Sequence, residues 1–307
     1  MTLSPRTLLL ITSFSLFIGG SEAIADNKSG VPWEKTIERD GLRYEVNKET
    51  PFTGTMVSKY ENGQKKRQTT FKDGKREGQF TEWYENGQMK SETTCEDGKE
   101  EGTATKWHKN GQRAWEGNYK RGKENGKIVE WYRNGQKQSE TVLRNGVRDG
   151  KNTQWYKNGQ KKEEGTYRGG HADGTVTEWY ENGQKKREAT FNFKQPWGPV
   201  AHTEWYKSGQ VMAEYTLQNT GLEGKSTRWS RNGQKITEEN WKHGKREGKC
   251  TSWHNSGHKS SVSTWKDGKV EGKVTTWYRN GQFKEEYTYK NGEVIAEKRW
   301  DEDGNPK

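Results

Sequence analysis

Trp83-Tyr84-Glu85-Asn86-Gly87-Gln88 is followed 24 residues later by Trp107-His108-Lys109-Asn110-Gly111-Gln112, and again by Trp131-Tyr132-Arg133-Asn134-Gly135-Gln136. The same Trp recurs at Trp155 and Trp179, at Trp205 after 26 residues, at Trp229, Trp253 and Trp277, and at Trp300 after 23. A degenerate first copy runs through Tyr60 and Asn62-Gly63, with Lys59 in the Trp position. A fixed period of this length marks a tandem array in which each unit is one supersecondary element. Asn-Gly between two short polar-aromatic runs predicts a hairpin closed by a two-residue type I′ turn, with positive φ at both residues. A second Gly-rich turn ends each unit, as in Phe71-Lys72-Asp73-Gly74-Lys75-Arg76-Glu77-Gly78. Two turns mean two strands, so about eleven units predict an all-β chain of 21 or 22 strands. They would form one elongated, meandering antiparallel sheet.

Residues equidistant from a two-residue turn face each other, which pairs Tyr84 with Met89, Trp83 with Lys90 and Thr81 with Glu92. The Trp column then stands opposite Lys66, Lys90, Lys162, Lys186 and Lys284, a geometry suited to cation–π contact. Alternation puts an acidic column near the same face: Glu92, Glu116, Glu140, Glu164, Glu188, Glu214, Glu238 and Glu286. Tyr84, Tyr132, Tyr156 and their equivalents fall on the opposite face, with strand-end residues such as Phe71, Cys95, Tyr119 and Leu143. Which face is buried stays open, because a bulge near the second Gly would swap the strand ends.

Only 26% of the residues are hydrophobic and the mean hydropathy is −1.40, values typical of disorder. The 15 Trp, 13 Tyr and 8 Phe argue otherwise, because wide rings cover a sheet without many aliphatic residues. A formal charge of +11 favours acidic partners. The 43 acidic residues are interspersed among 54 basic ones, unlike the one-sided stripe of a nucleic-acid binder. Cys95 and Cys250 lie about 13 strands apart, roughly 60 Å at ~4.8 Å per strand, so no disulfide between them is expected.

Residues 1–25 read as a secretory signal peptide: Arg6, an apolar run from Leu8 to Ile18, then Ala23-Ile24-Ala25 before Asp26. The expectation is export to the periplasm, the cell surface or the medium. A lead segment, 26–41, would precede a repeat domain over 42–305 that is irregular at 191–203.

No phosphate-binding Gly loop, Cys-x-x-Cys pair or activated-Ser elbow occurs. His254 and His258 flank one turn without an evident third ligand, so no metal site is assigned. A column of near-identical Glu residues lacks the two different environments that acid–base catalysis needs. The sequence therefore predicts no enzyme, no cofactor and no metal. Candidate binding residues are the Trp column, Trp83, Trp107, Trp131, Trp155, Trp179, Trp205, Trp229, Trp253 and Trp277, and the insertion carrying Pro196, Trp197 and Pro199. That insertion is expected to be a partner-contacting bulge or a kink that divides the sheet.

The unit resembles the MORN repeat variant (membrane occupation and recognition nexus) of the YwqK-type antitoxin family, over residues 42–305. The likeness rests on Tyr-x-Asn-Gly-Gln, the charged strand, Asp-Gly-Lys and the closing Gly. Trp229-Ser230-Arg231, the His254 to His258 unit and Pro196-Trp197-Gly198-Pro199 depart from it. The resemblance implies an elongated, non-catalytic β scaffold that works in protein contact, in toxin neutralisation or at membranes, without supplying a ligand. The expectation is a scaffold that binds a protein partner, with antitoxin or immunity activity as the form the resemblance suggests. Anionic lipid, or a cell-wall glycan held by the aromatic ladder, stands as the alternative partner.

Overall fold

The computed structural model describes residues 30–307, so the expected signal peptide lies outside the described residues. Apart from a single 3-10 turn, Trp33–Lys35, every regular element among the described residues is a β-strand. From Gly54–Lys59 to Glu293–Arg299 each strand pairs antiparallel with its neighbours in sequence, giving one sheet of 26 strand segments. Four strands are interrupted once, for example Lys123–Glu124 and Gly126–Trp131. Joined, and with the short Val31–Pro32 set aside, they make the expected twenty-one.

The first edge is covered. Val31–Pro32 pairs parallel with Met56 and Val57, while the separate hairpin Thr36–Arg39 and Leu42–Glu45 hydrogen-bonds to Gly74 through the Arg43 amide. Beneath them Phe52, Met56 and Phe71 form a core cluster with Val31 and Trp33 packed against it. A covered edge is what an array needs where its repeat stops.

The two turns of each unit divide the expected conformations between them. At Asn86-Gly87 only the Gly has positive φ (82°). The Tyr84 carbonyl accepts from the Gly87 amide at 2.9 Å, and the Tyr84 amide donates to the Gln88 carbonyl at 2.8 Å. This is a three-residue loop, a type I turn followed by a left-handed Gly, so the two-residue type I′ assignment is corrected. The Asn86 side chain decides it: its Oδ1 accepts from the Gln88 amide at 3.2 Å, which keeps Asn86 right-handed. The type I′ turn sits at the other end, where Asp73 (φ 49°) and Gly74 (φ 81°) are both positive and Lys72 faces Lys75.

The longer loop shifts the register by one. Trp83 pairs with Met89, not Lys90, and Glu82 pairs with Ser91, while Thr81 faces Glu92 as expected. Lys90 becomes the bulged residue and crosses to the opposite face, where its Nζ lies 3.2 Å from Glu82. The lysines expected over the Trp rings are therefore elsewhere: Lys66 lies over Tyr60 and Lys186 pairs with Glu178 at 3.3 Å. Near the closing Gly the strand carries two extra residues rather than one, since Thr69 faces Phe80 and Phe71 faces Arg76. An even insertion preserves alternation, so Phe71, Cys95 and their equivalents stay opposite the Trp column.

Among the described residues the large sheet has no second sheet packed along its length, and neither of its faces is wholly wet. Buried apolar side chains such as Phe71, Cys95, Ala104, Trp115, Ile128 and Cys250 lie opposite the Trp column. On the Trp face the buried positions are Val129 and the threonines Thr81, Thr153, Thr227, Thr251 and Thr275. A small residue buried between large half-buried rings explains a stable sheet with so few aliphatic residues.

Candidate functional site

Most repeated side chains bond one unit to the next. The hydroxyls of Tyr60, Tyr84, Tyr132, Tyr156, Tyr180, Tyr206 and Tyr278 each donate to the carbonyl of the following unit's Trp, at 2.7–3.0 Å. His108 and His254 replace Tyr, and their Nε2 atoms lie 2.9 and 2.8 Å from the Trp131 and Trp277 carbonyl oxygens. The turn Asn adds a second bond: Asn86 Nδ2 donates to the Lys109 carbonyl at 3.3 Å and Asn158 to the Glu181 carbonyl at 2.9 Å. At the other row of turns the acid before the closing Gly accepts from the next type I′ turn, Glu77 from the Asp97 amide at 3.0 Å and Glu271 from the Asn291 amide at 3.1 Å. The signature is a set of staples.

All nine tryptophans of the candidate face are half-buried. Lysines from the preceding unit cover five of these rings: Lys65 over Trp83, Lys137 over Trp155, Lys161 over Trp179, Lys185 over Trp205 and Lys235 over Trp253, at 5.3–5.7 Å. A carboxylate holds most of these lysines. Glu140 lies 2.8 Å from both Lys127 and Lys137; Glu164 lies 3.0 Å from Lys151 and 2.9 Å from Lys161; Glu238 lies 3.1 Å from Lys225 and 2.7 Å from Lys235. Hydrogen bonds from Lys127 and Lys137 hold Glu140 below the usual carboxylate range, and their lysine pairs do the same to Glu164 and Glu238. Glu116, Glu140, Glu164, Glu188, Glu238 and Glu286 of the acidic column are thus each paired with a cation in place. Glu214 is the converse case, because Ala201 and Val211 stand where the two lysines would be, and its side chain is exposed.

The opposite face differs from unit to unit. Phe80, Ala104, Ile128, Asn152, Val176, His202, Ser226, Cys250 and Val274 occupy one column. An open trough crosses it at Trp115, Ile128, Tyr132, Leu143 and Asn152. A second, more apolar one is lined by Met212, Ala213, Tyr215, Leu222 and Ile236, with Arg228 at its rim. Met212 and Ile236 stand where Lys66, Lys90 and Lys186 stand elsewhere. Beside this trough His202 stacks on Tyr215 with ring centroids 5.0 Å apart. Burial, then the Arg187 charge, pushes His202 down; burial and the hydrogen bond to Glu204 at 2.8 Å push Tyr215 up to about 12.

The insertion does not divide the hydrogen-bonded ladder, for Thr190 faces Ala201 and Glu188 faces Thr203 across it. Val200 takes the register place of the closing Gly. Trp197 projects from the loop at 73% exposure. Cys95 and Cys250 are buried free thiols, as expected, and burial raises both. Among the described residues no group of three potential ligands gathers into a metal site. The staples were missed by sequence reasoning, although the joint recurrence of Tyr and Asn at each turn was their signal.

Comparison with known proteins agrees with the architecture. The family model described as MORN repeat variant matches residues 52–73, 76–95, 148–168, 172–192 and 270–291. No curated protein matches the chain. Among solved structures, the crystal structure of TcdB2-TccC3 is 10% identical over 86% of this chain and 17% of that one, with a TM-score of 0.20. The Photorhabdus luminescens Tc holotoxin pore is 11% identical over 86% of this chain and 17% of that one, with a TM-score of 0.18. This chain spans about a sixth of their length, 17%, and superpositions so distant support no further comparison. Five segments, near both ends and in the middle, are therefore similar to MORN repeat variants.

Proposed function

We propose that this chain is an exported, non-enzymatic repeat scaffold that recognises a protein partner through the side chains that depart from its repeat. One observation carries the reading: the recurring Tyr, Asn, Lys and Glu side chains are largely engaged within the array, by the next unit or by their own hairpin, whereas unit-specific ones line open troughs or project into solvent. A surface identical in every unit cannot fix a partner's register, while a varied one can. An antitoxin-like role is the specific form that the family resemblance suggests, and a toxin-like reading frame beside the gene would support it. Export rests on the pattern of residues 1–25, and a mature chain beginning at Asp26 would bear it out.

The test compares the parent chain with one in which Met212 and Ile236 are changed to Lys and Trp197 to Ser. An envelope protein retained by the parent and lost by the variant supports the proposal. Equal retention by both, or no protein retained, overturns it. Sedimentation of both chains with anionic but not neutral vesicles, lost at high salt, would instead assign the surface to lipid.

A further inference from the structure

On the Trp face one unit keeps its two lysines and lacks the acid between them. Lys249 pairs with Thr264, and Trp253 with Lys259, as Lys127 pairs with Val142 and Trp131 with Lys137. The residue facing Thr251 is Val262, where Val129 faces Glu140 and Thr227 faces Glu238. In three other units this pair of lysines grips a carboxylate from both sides at 2.7–3.1 Å. Lys249 and Lys259 are exposed, and neither forms an ion pair among the described residues. Lys259 also does not lie over Trp277, although Lys235, held by Glu238, lies over Trp253 at 5.7 Å. Val262 ends one carbon beyond its Cβ, so it stops short of the place a Glu carboxylate would occupy.

We propose that Lys249 and Lys259 form an anion clamp that takes a carboxylate from an Asp or Glu side chain of the protein partner, held above Val262 beside Trp253. The other units of this chain are the template: two ammonium groups at these positions converge on one carboxylate. The excess of basic residues over acids in the whole chain favours an acidic partner over a neutral one. The clamp rests on the protein-partner reading and adds the chemistry of one contact.

A hexaglutamate peptide coupled to the purified chain with a zero-length carbodiimide tests the clamp, with adducts located by mass spectrometry. The expected result is labelling at Lys249 and Lys259 about fivefold above that at Lys225 and Lys235, whose carboxylate is already in place. Val262→Glu supplies the missing acid and should bring the labelling down to the level of those lysines. Val262→Gln, of the same size without the charge, should keep it. Even labelling across the exposed lysines, or labelling unchanged in Val262→Glu, would overturn the proposal. Inorganic phosphate that suppresses the adducts where chloride of equal ionic strength does not would also overturn it, assigning the clamp to phosphate. A protein partner that binds Val262→Glu as tightly as the parent removes the clamp and leaves the partner reading. Specific adducts without any protein partner do the reverse.

Discussion

Ser230→Tyr should strengthen the weakest junction in the array. Between the units of Trp229 and Trp253 the Tyr and Asn staples are both missing, and only the acid staple remains, Glu223 accepting from the His243 amide at 2.8 Å. Ser230 is too short to reach the Trp253 carbonyl and instead bonds to the Gln234 carbonyl at 3.1 Å, while Asn232 Nδ2 donates to Gln234 Oε1 at 3.4 Å. A Tyr here would restore a bond that measures 2.9 Å at the preceding junction, from Tyr206 to Trp229. The net gain from one such hydrogen bond is about 1 kcal/mol. Half-covering the ring adds roughly another 1 kcal/mol, and losing the Ser230 bond removes ~0.5–1. The balance, near 1 kcal/mol, should slow local opening about fivefold, at ~1.4 kcal/mol per tenfold. Because a linear array couples nearest neighbours, the effect should fall on amides of Lys235–Lys242 and Gly248–Trp253 and fade within a unit on either side. Native-state hydrogen exchange reads this directly. Tyr156→Phe, which deletes the 2.8 Å bond to the Trp179 carbonyl, is the control of opposite sign and similar size. If neither change alters exchange at its own junction, the tyrosine bonds do not hold the units together.

Three further outcomes follow from the packing and charge. Gly117→Ala would place a Cβ 2.2 Å from Ile128 Cδ1 and 2.8 Å from the Trp115 ring, and should cost ~1–3 kcal/mol by overpacking; a urea midpoint unchanged from the parent would show that this core yields freely. Glu140, Glu164 and Glu238 lie below their ordinary value of 4.5 in the folded chain, so the stability they contribute is present above pH 4.5 and is lost as the pH falls through their lowered values. Melting temperature should drop on acidification in that window, less steeply when all three are Gln, and a slope unaffected by that change would refute the assignment. Tyr215 should ionise late, near pH 12, because burial and the Glu204 carboxylate favour its neutral form. Ultraviolet titration of Tyr215→Phe should lose that late step, and stability tied to it is present below pH 10 and fades above it.

Much of this was legible from local pattern. The period and the two Gly-rich turns predict the strand count and the sequential antiparallel order, because a short hairpin leaves a strand few choices. What failed was the loop type at Asn86-Gly87. The Asn carbonyl oxygen bonds forward to Gln88, which a two-residue turn would not permit, and one extra loop residue moves every lysine of that column to the other face. The cation–π partners were thus misplaced by one position, Lys65 for Lys66. Junction bonds could not be read from a single unit, since donor and acceptor lie 23 residues apart at most junctions. The gap at Val262 is visible only against the filled copies, once register shows which residues share a site.

The junction bonds also have a direction. At each tyrosine or asparagine staple the donor belongs to the earlier unit and the acceptor to the later one. During synthesis a completed unit therefore offers formed donors to the unit that emerges next, and no contact of this kind waits for a distant part of the chain. Growth from the covered N-terminal edge can proceed one hairpin at a time, with a search spanning a single period. A chain assembled in this way gains or loses whole units without changing how the others fold, so its length is free to follow the size of what it must span.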